Sequence, residues 1–565
     1  MDISDRDKNY SNEYFDLIIE YNGDLSILEQ YKENGIQIIN YFIAVVHIPM
    51  SSVSEDIISR MGYAVLPNLF GIVSDAPLEA SGILKLRNIP TFVLRGKGVL
   101  IGFVDTGIDY TNPIFTYADG TTKLVSIWDQ SVDTDQVPAG MSYGTEYSRD
   151  QINEALKSEE PFMKVPSKDE IGHGTMLAGI AAGNDIPDKG FFGVAPDAEL
   201  VVVKLKQAKA NLKAFFRVPE DRQCYQENDI NLGYQYLLNV ATSLNQPIVI
   251  CSSIDTSQYA HDGRGTLSSW LSLQANNTGI AIITAVGNEG NARRHYSGTV
   301  DPKAGFDVVE LTVAQGETGF TMEIWGNSPN LFSIDITTPL GEYVPRISIV
   351  LNETREIRFI FDPTIIYLDY TLVEAQSGDQ LILLRFTNPS PGIWKFNVYG
   401  RGINPMKFNI WLPMDNFIME DTYFIRSNPD TTLLSVSCST VPIAVTAYNV
   451  EDDSLYLNSG RGYTRIDYIK PDIAAPGVNL SAPSLNHDFV GITGTSAAAA
   501  HTAGVAAMLL EWGIVNGKYP YMSTQDMKVF IIRGARRNVD ISYPNPDWGY
   551  GILDIFNVFE SLRQD

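Results

Sequence analysis

Apolar and polar positions in the first part of the chain alternate at the spacing of a small α+β unit. In chain order, the pattern predicts a strand, a helix, a strand and a helix over 14–21, 25–34, 36–48 and 53–61. The next stretch, 66–80, is rich in turn residues and has no clear period. We therefore expect a small α+β domain over 1–74, separate from the rest of the chain.

From about residue 98, buried strands alternate with helical patterns. The predicted strands are 99–104, 199–206, 247–251, 280–285 and 443–447, and the predicted helices are 172–183, 230–244, 497–512 and 554–562. This alternation is typical of a mostly parallel sheet with helices on both faces, the α/β class.

Between the strands at 280–285 and 443–447 the alternation stops, and short strand candidates recur between turn signals. They are predicted over 306–313, 320–325, 332–337, 357–361, 381–386, 394–398 and 408–412. Such spacing is typical of a β-sandwich, here inserted into the α/β domain. The expected domains are therefore 1–74, 75–296, 297–429 and 430–565.

Charge and cysteine content narrow the possible functions. With 41 Lys and Arg against 67 Asp and Glu, the 565-residue chain has a net charge of -26, which repels nucleic acid and anionic bilayers. Its three cysteines, Cys224, Cys251 and Cys438, lack CxxC spacing, so we expect a reducing compartment.

The polar start MDISDRDKNYSNEYFD is unlike a signal peptide, and no apolar run reaches 18 residues. We therefore expect no membrane span.

Four short motifs carry candidate chemistry. Asp105 ends an apolar strand in VDTGID, and His173 lies between glycines in GHGT. Asn288 follows a strand in AVGNEGN, and Ser496 begins a small-residue helix in GTSAAAAHTAG. Each motif alone is explained as well by a turn or a helix cap.

Together, in the order Asp, His, Asn, Ser, these motifs resemble those of the subtilases, the subtilisin-like serine proteases. FGVAP at 192–196 and KPDIAAPG at 470–477 extend the resemblance, which covers about 85–300 and 430–565. It implies an endopeptidase acting on proteins or peptides.

The resemblance also implies a role for each motif residue. Ser496 would attack the scissile carbonyl, His173 would take its proton, and Asp105 would orient the imidazole. Asn288 and the Ser496 amide would bind the oxyanion. Four other histidines, His261, His295, His487 and His501, are not needed. His501 matches a family position and is expected to be structural.

The chain departs from the family pattern at two places. Beside the nucleophile, Met, Thr and Pro of the usual GTSMATPH run are replaced by Ala497, Ala499 and Ala500. The family's glycine-containing substrate strand is replaced by Ser252, Ser253, Ile254 and Asp255, which we take as the substrate-binding residues. Ile254 or Asp255 in place of a pocket glycine would narrow the primary pocket or make it acidic.

The front domain resembles a subtilase propeptide, an intramolecular inhibitor that the enzyme cuts from itself, here within 66–75. A permanent accessory domain is the alternative. A propeptide combined with a jelly-roll-like insert and no export signal is similar to the Csp germination proteases of spore-forming bacteria. Those enzymes activate the zymogen of a spore-cortex hydrolase, which implies a cytoplasmic or spore-associated protein.

Two other functions remain open. A pseudoprotease could keep its propeptide and act as a binding or signalling module, and a β-sandwich carbohydrate binder could carry a vestigial enzyme. No cofactor is expected to be required. Calcium stabilises some subtilases, but acids such as Asp133, Asp135 and Asp185 lack a ligand pattern, so a calcium site is left unassigned.

Overall fold

The front domain is built on a three-stranded antiparallel sheet. The computed structural model describes residues 5–72, 81–83, 93–348 and 353–562. Strands β1 (Tyr14–Glu20), β2 (Ile36–Ile38) and β3 (Ile43–Pro49) pair in the order β1-β3-β2. A fourth strand, β4 (Leu69–Ile72), leaves this sheet, and the predicted boundary at residue 74 lies outside the described residues.

Two of the predicted front-domain elements differ in the structure. The strand predicted over 36–48 is two strands, because the Asn40 carboxamide oxygen accepts the N–H groups of Phe42 and Ile43 and closes a turn between them. The helix predicted over 25–34 is a 3₁₀ helix, Leu25–Tyr31. Short α-helices occupy Asp5–Lys8 and Ile57–Met61, with 3₁₀ turns at Met50–Ser52 and Tyr63–Val65.

The first α/β segment contributes eight strands. They are β5 (Leu100–Asp105), β6 (Leu124–Asp129), β7 (Thr145–Ser148), β8 (Glu199–Lys204), β9 (Tyr225–Gln226), β10 (Ile248–Ser252), β11 (Ile254–Asp255) and β12 (Ile280–Ala285). The predicted strands of this segment are confirmed, with small changes in their ends.

A β-sandwich of two antiparallel sheets comes next. Its strands are β13 (His295–Thr299), β14 (Phe306–Val313), β15 (Gly319–Gly326), β16 (Leu331–Thr337), β17 (Tyr343–Val344), β18 (Glu353–Arg358), β19 (Ile365–Thr371), β20 (Gln380–Thr387), β21 (Gly392–Arg401), β22 (Lys407–Trp411) and β23 (Tyr423–Phe424). The sheets have the orders β13-β22-β15-β20-β19-β18 and β17-β16-β21-β14-β23. Their facing apolar side chains form the sandwich core.

One sandwich strand is displaced from its predicted position. The strand expected over 357–361 lies at Glu353–Arg358, because the Glu342 carboxylate accepts the N–H groups of Ile360, Phe361 and Asp362 and holds them in a turn. The apolar side chains that suggested a strand, Ile360 and Phe361, are exposed.

The second α/β segment completes the central sheet. Its strands are β24 (Ile443–Asn449), β25 (Ser454–Leu455), β26 (Ile473–Pro476), β27 (Leu480–Pro483) and β28 (Phe489–Ile492). The central sheet has the order β25-β24-β12-β10-β5-β8-β6-β7, with β26 beside β24. From β24 to β6 every neighbouring pair of strands in this order is parallel, which confirms the α/β fold class.

Helices cover both faces of this sheet. The longer ones are Arg149–Leu156, His173–Ala182, Glu227–Leu244, Thr266–Gln274, Thr495–Leu510, Thr524–Gly534 and Ile555–Leu562, and the shorter ones are Pro161–Lys164 and Ala210–Phe215. Within the described residues, one helical stretch, Thr495–Val515, is long and apolar enough to cross a membrane, but 83% of its most apolar window is buried inside the protein. This burial makes it a core helix.

The front domain packs against both other domains through buried charges. Lys209, which precedes the helix Ala210–Phe215, donates to Asp16 of β1 at 2.7 Å, and His47 of β3 contacts the same carboxylate at 2.7 Å. Burial alone would raise the pKa of Asp16, but Lys209 and His47 hold it below its usual value. On the sandwich side, the front domain's Glu55 pairs with Arg385, whose side chain is fully buried.

Replacing Lys209 by Met is expected to loosen the front domain. The substitution leaves the Asp16 carboxylate buried without its main cation, which costs about 3–5 kcal/mol. Limited proteolysis of the front domain should become faster, and the thermal midpoint should fall. The control is Lys213→Met, because Lys213 donates only to the carbonyls of Glu220 and Arg222 among described residues. Equal protection of the front domain in both variants would contradict this role for Lys209.

Candidate active site

Asp105 lies at the carboxyl end of β5, beneath the surface of the protein. Its side chain has no exposed area. Oδ1 lies 2.7 Å from His173 Nδ1 and accepts the Thr106 N–H at 2.7 Å, while Oδ2 accepts the Ser253 hydroxyl at 2.6 Å. Both carboxylate oxygens therefore receive hydrogen bonds from the protein itself.

These donors decide the ionisation of Asp105. Burial alone would raise its pKa, because a charged carboxylate is poorly solvated inside a protein. The nearby His173 and the hydrogen bonds from His173, Ser253 and Thr106 outweigh burial and lower the pKa below its ordinary value. Asp105 is therefore ionised at neutral pH, as an imidazole-orienting group must be.

His173 begins the helix His173–Ala182, which we call the histidine helix. The helix starts against the loop after β5, and a Cβ atom on Gly174 would lie 2.1 Å from the Gly107 carbonyl oxygen. Gly172, on the other side, has a φ of +91°, in the left-handed region that favours glycine. The two glycines thus allow the helix to begin in close contact with the loop after β5.

Asp169 is a supporting residue that the sequence interpretation missed. It is buried, and its carboxylate accepts the Thr106 hydroxyl at 2.8 Å, the Gly172 N–H at 2.7 Å and the Thr175 hydroxyl at 2.7 Å. It therefore ties the loop after Asp105 to the start of the histidine helix. The one sequence feature that could have indicated this role is its position four residues before His173.

Ser496 is the second residue of the helix Thr495–Leu510, which we call the serine helix. Its Oγ lies 3.4 Å from the carbonyl oxygen of Ser253, whose hydroxyl contacts Asp105. Ser253 therefore contacts both Asp105 and Ser496. The first N–H groups of a helix lack intrahelical acceptors and carry a partial positive charge, so the backbone beside Ser496 is suited to bind an anion.

Asn288 is placed beside Ser496 by its contacts with Thr495. The Asn288 Oδ1 atom accepts the Thr495 N–H at 3.2 Å and the Thr495 hydroxyl at 3.3 Å, and that hydroxyl accepts the Gly287 N–H at 3.1 Å. These contacts place the Asn288 carboxamide beside Thr495, one residue before the Ser496 nucleophile.

The end of the front domain enters this site as a strand. β4 pairs antiparallel with β9, with Phe70 opposite Tyr225, and antiparallel with β11, with Gly71 opposite Asp255 and Ile72 opposite Ile254. An extended segment between two strands is how many proteases bind peptides. Ile254, the partner of Ile72, directly follows Ser253, which contacts Ser496. Of the predicted cleavage window, 66–72 is described and 73–75 lies outside the described residues.

The four residues predicted to bind substrate divide into three roles. Ile254 and Asp255 pair with β4 through their backbones. Ser253 contacts Asp105 and Ser496, and Ser252 accepts the Tyr234 hydroxyl at 2.7 Å, away from β4. The Ser252 hydroxyl is therefore engaged by Tyr234 inside the protein.

The expectation that Asp255 makes the primary pocket acidic is corrected. Its carboxylate is buried and accepts the N–H groups of Thr256 at 2.7 Å, Val436 at 2.9 Å and Ser437 at 3.2 Å. Burial raises its pKa to about 7. Asp255 thus fixes β11 to the turn Val436–Cys438. A glycine at this position, as in the family pattern, would have no side chain to do so. The Asp255 carboxylate already accepts hydrogen bonds from backbone N–H groups.

The other histidines have structural partners, as expected for His501. His261 and His295 both stack on the Trp411 ring, at 4.1 and 4.8 Å, and burial lowers the pKa of each to about 4. His501 contacts the Ser81 hydroxyl, with its pKa lowered to about 3 by burial, and His487 contacts Asp109 at 2.9 Å. Each of these four histidines thus has a partner other than the Ser496 hydroxyl.

The acids considered for calcium are engaged by arginines. Asp133 and Asp135 contact Arg6, and Asp185 contacts Arg95 at 3.0 Å. In the part of the chain that the structure describes, no three His, Cys, Asp or Glu side chains gather as a metal site. These three acids therefore have arginine partners, and a calcium site stays unassigned.

Replacing Ser253 by Ala should slow turnover while leaving the fold intact. The change removes the 2.6 Å hydrogen bond to the buried Asp105 carboxylate but keeps the backbone carbonyl. A hydrogen bond to a charged group is worth about 1.5–3 kcal/mol, so kcat should fall roughly 10- to 100-fold with KM little changed.

The matched control for this prediction is Ser252→Ala, which removes the neighbouring hydroxyl that contacts Tyr234 instead. Steady-state kinetics and thermal unfolding of both variants distinguish positioning from general loss of stability. Equal losses of kcat in the two variants would contradict the positioning role of Ser253.

Comparisons with known proteins show which family and which chains this protein resembles. The model of the Subtilase family, Peptidase_S8, matches residues 96–343 and 421–552. Subtilisin of Bacillus sp. (strain TA39) is 32% identical over 195 residues, which are 34% of this chain and 35% of that protein. Subtilisin-like protease SBT3 of Solanum lycopersicum is 24% identical over 481 residues, 76% of this chain and 58% of its own length. The matches cover between 16% and 58% of the curated relatives' lengths.

Among solved structures, the Clostridium perfringens CspB protease is similar over most of both chains. The two superpose with a TM-score of 0.76 at 29% sequence identity, covering 86% of this chain and 96% of that one. This coverage exceeds the residues that the family model matches, so the similarity includes part of the chain outside 96–343 and 421–552.

Proposed function

Because the chain belongs to the subtilase family, we propose that it is a serine endopeptidase whose triad is Asp105, His173 and Ser496. The observation that carries the proposal is the arrangement around Asp105, which contacts His173 at 2.7 Å and reaches Ser496 through Ser253. A role in a turn or a helix cap would not explain why the Asp105 carboxylate is fully buried, ionised and in contact with an imidazole.

The proposed reaction is acyl transfer. His173 Nε2 takes the proton of the Ser496 hydroxyl as its Oγ attacks the scissile carbonyl carbon, and His173 then gives that proton to the leaving amine. Asp105 holds Nδ1–H and stabilises the imidazolium. A water molecule, activated by His173, then hydrolyses the acyl-enzyme. Asn288 Nδ2 and the Ser496 N–H stabilise the oxyanion in both steps.

We also propose that the front domain is a propeptide that the enzyme cuts from itself. The support is the position of β4, which pairs with β9 and with β11, the strand that follows the Ser253 in contact with Ser496. Cleavage is expected within 72–75, inside the window inferred from the sequence. A strand held in this place also blocks other peptides, so the front domain would inhibit the enzyme until it is displaced.

The biological substrate is proposed from the relative. The similarity to the CspB protease supports a substrate of the kind implied by the Csp resemblance, the zymogen of a spore-cortex hydrolase. A cytoplasmic or spore-associated location goes with that substrate. Incubating the processed protein with such a zymogen, beside its Ser496→Ala variant, tests this role through the appearance of the shortened hydrolase.

The intact masses of the wild-type protein and the Ser496→Ala variant test self-processing without a chosen substrate. Both are measured under denaturing conditions after purification. The wild type should give two fragments that divide within 72–75, because Ser496 cuts the segment that β4 presents, and the variant should keep its full length.

If the wild type and the variant both stay whole, self-processing is contradicted and a permanent front domain or a pseudoprotease is favoured. If both are cut at the same bond, another protease made the cut, and the proposed role of Ser496 in processing is contradicted.

Replacing Asn288 by Asp is expected to slow self-cleavage, because aspartate lacks the amide donor and adds a negative charge beside the developing oxyanion. Aspartate keeps the acceptor that binds Thr495 but removes the amide donor. Loss of one oxyanion donor costs about 2.7–4 kcal/mol, or roughly 10²–10³ in rate. The rate of front-domain release after refolding provides the measurement, and Asn288→Ala, which loses both functions, is compared. An unchanged rate in both variants would contradict an oxyanion role.

A further inference from the structure

A cavity of about 720 Å³ lies beside Asn288, on the surface between the α/β domain and the sandwich. One wall comes from the segment that returns from β22 to β23, including Met414 and Tyr423. Another comes from the residues after Asn288, and Thr493, just before the serine helix, closes the end nearest Ser496. The inserted sandwich therefore helps to build a cavity next to the nucleophile.

The direction of β4 shows which part of a substrate would reach this cavity. Residues that precede the scissile bond lie along β9 and β11, as β4 does. The cavity is lined by residues of neither strand, and it begins at Asn288, which contacts Thr495 beside Ser496. A peptide that runs along β4's path and past Ser496 would therefore place its leaving-group side toward the cavity.

Three of the six charged side chains along the cavity form ion pairs with one another. Arg294 is buried and lies 3.1 Å from both Glu289 and Asp415. The Arg293 guanidinium stacks 3.8 Å over the Tyr423 ring. Glu289 also accepts the Asp415 N–H at 3.0 Å, so this part of the wall is fixed.

Two acids on the same wall are left for a ligand. Glu420 and Asp421 are exposed, and neither forms a salt bridge with any residue in the described ranges. With Glu289 and Asp415 they make four acids against two arginines along the cavity. The field there is negative, in a protein whose net charge is -26, so a cationic side chain is attracted.

The chain's own continuation is a poor occupant of such a cavity. Residues 73–80, VSDAPLEA, contain Asp75 and Glu79 but no lysine or arginine. An acidic segment is repelled by Glu420 and Asp421, which favours its departure after self-cleavage. The cavity is then open to a different, basic segment.

We propose that this cavity binds the residues after the scissile bond of a separate protein substrate, and that Glu420 and Asp421 select lysine or arginine there. The inference rests on the proposed peptidase activity and adds a substrate class to it. Specificity of this kind acts on the leaving-group side, independently of the residue that fills the primary pocket.

Cleavage of a proteome-derived peptide library by the processed protein tests the proposal without a chosen sequence. Lysine and arginine should be enriched within the first three positions after the cut bonds. Synthetic peptides that differ only by Lys, Ala or Glu at the most enriched position then give kcat/KM values. Exposed ion pairs are weak, so two acids should favour Lys over Ala by roughly 2- to 30-fold in kcat/KM.

The double variant Glu420→Gln, Asp421→Asn should cleave the Lys and Ala peptides equally well. The matched control, Glu159→Gln with Asp188→Asn, makes the same charge change at exposed acids outside the cavity and should keep the preference. Added salt should reduce the wild-type preference. A Lys preference that survives in the double variant, or that is absent from the wild type, would overturn the proposal.

A peptide-binding measurement tests the cavity independently of the proposed peptidase activity. The Ser496→Ala variant, with its front domain removed by an added protease, is titrated with fluorescent versions of the Lys and Glu peptides. Tighter binding of the Lys peptide, lost on adding the Glu420 and Asp421 substitutions, supports the cavity even if no peptide is cut. Equal binding of the two peptides contradicts it, whatever the peptidase assay shows.

Discussion

The buried carboxylate of Asp105 is the constraint on which the site depends. An ionised group with no exposed surface must receive charge and hydrogen bonds from the protein, and here His173, Ser253 and Thr106 supply them. To bring these donors together, the ends of β5 and β10 must lie side by side and the histidine helix must begin against them. The parallel order of the central sheet does this, because neighbouring parallel strands end at the same edge.

The two added domains act at the same edge of that sheet. The front domain is held by Lys209 on the α/β domain and by Arg385 on the sandwich, and it places β4 between β9 and β11. The sandwich forms a wall of the cavity on the other side of Ser496. In the functions proposed above, one domain occupies the place of residues before a scissile bond, and the other shapes the place of those after it.

The strands and helices were predicted correctly where the periodicity of apolar residues alone determines them. The strands ending in Asp105 and preceding Asn288 and the helix after His173 are long, strongly patterned segments, and the structure has them with small changes. The prediction failed where a side chain overrides the pattern. Glu342 holds Ile360 in a turn rather than a strand, and β19 was not predicted within the sandwich.

The sequence by itself determined the family, the four candidate motif residues and the α/β class, because each depends on residue type and local spacing. Only the tertiary structure decided that Ser253 connects Asp105 to Ser496, and that Asp255 fixes a turn instead of charging a pocket. These roles depend on contacts between residues more than 140 positions apart in the chain. Local patterns contain no information on such pairs, since only the packed sheet and helices bring them within hydrogen-bonding distance.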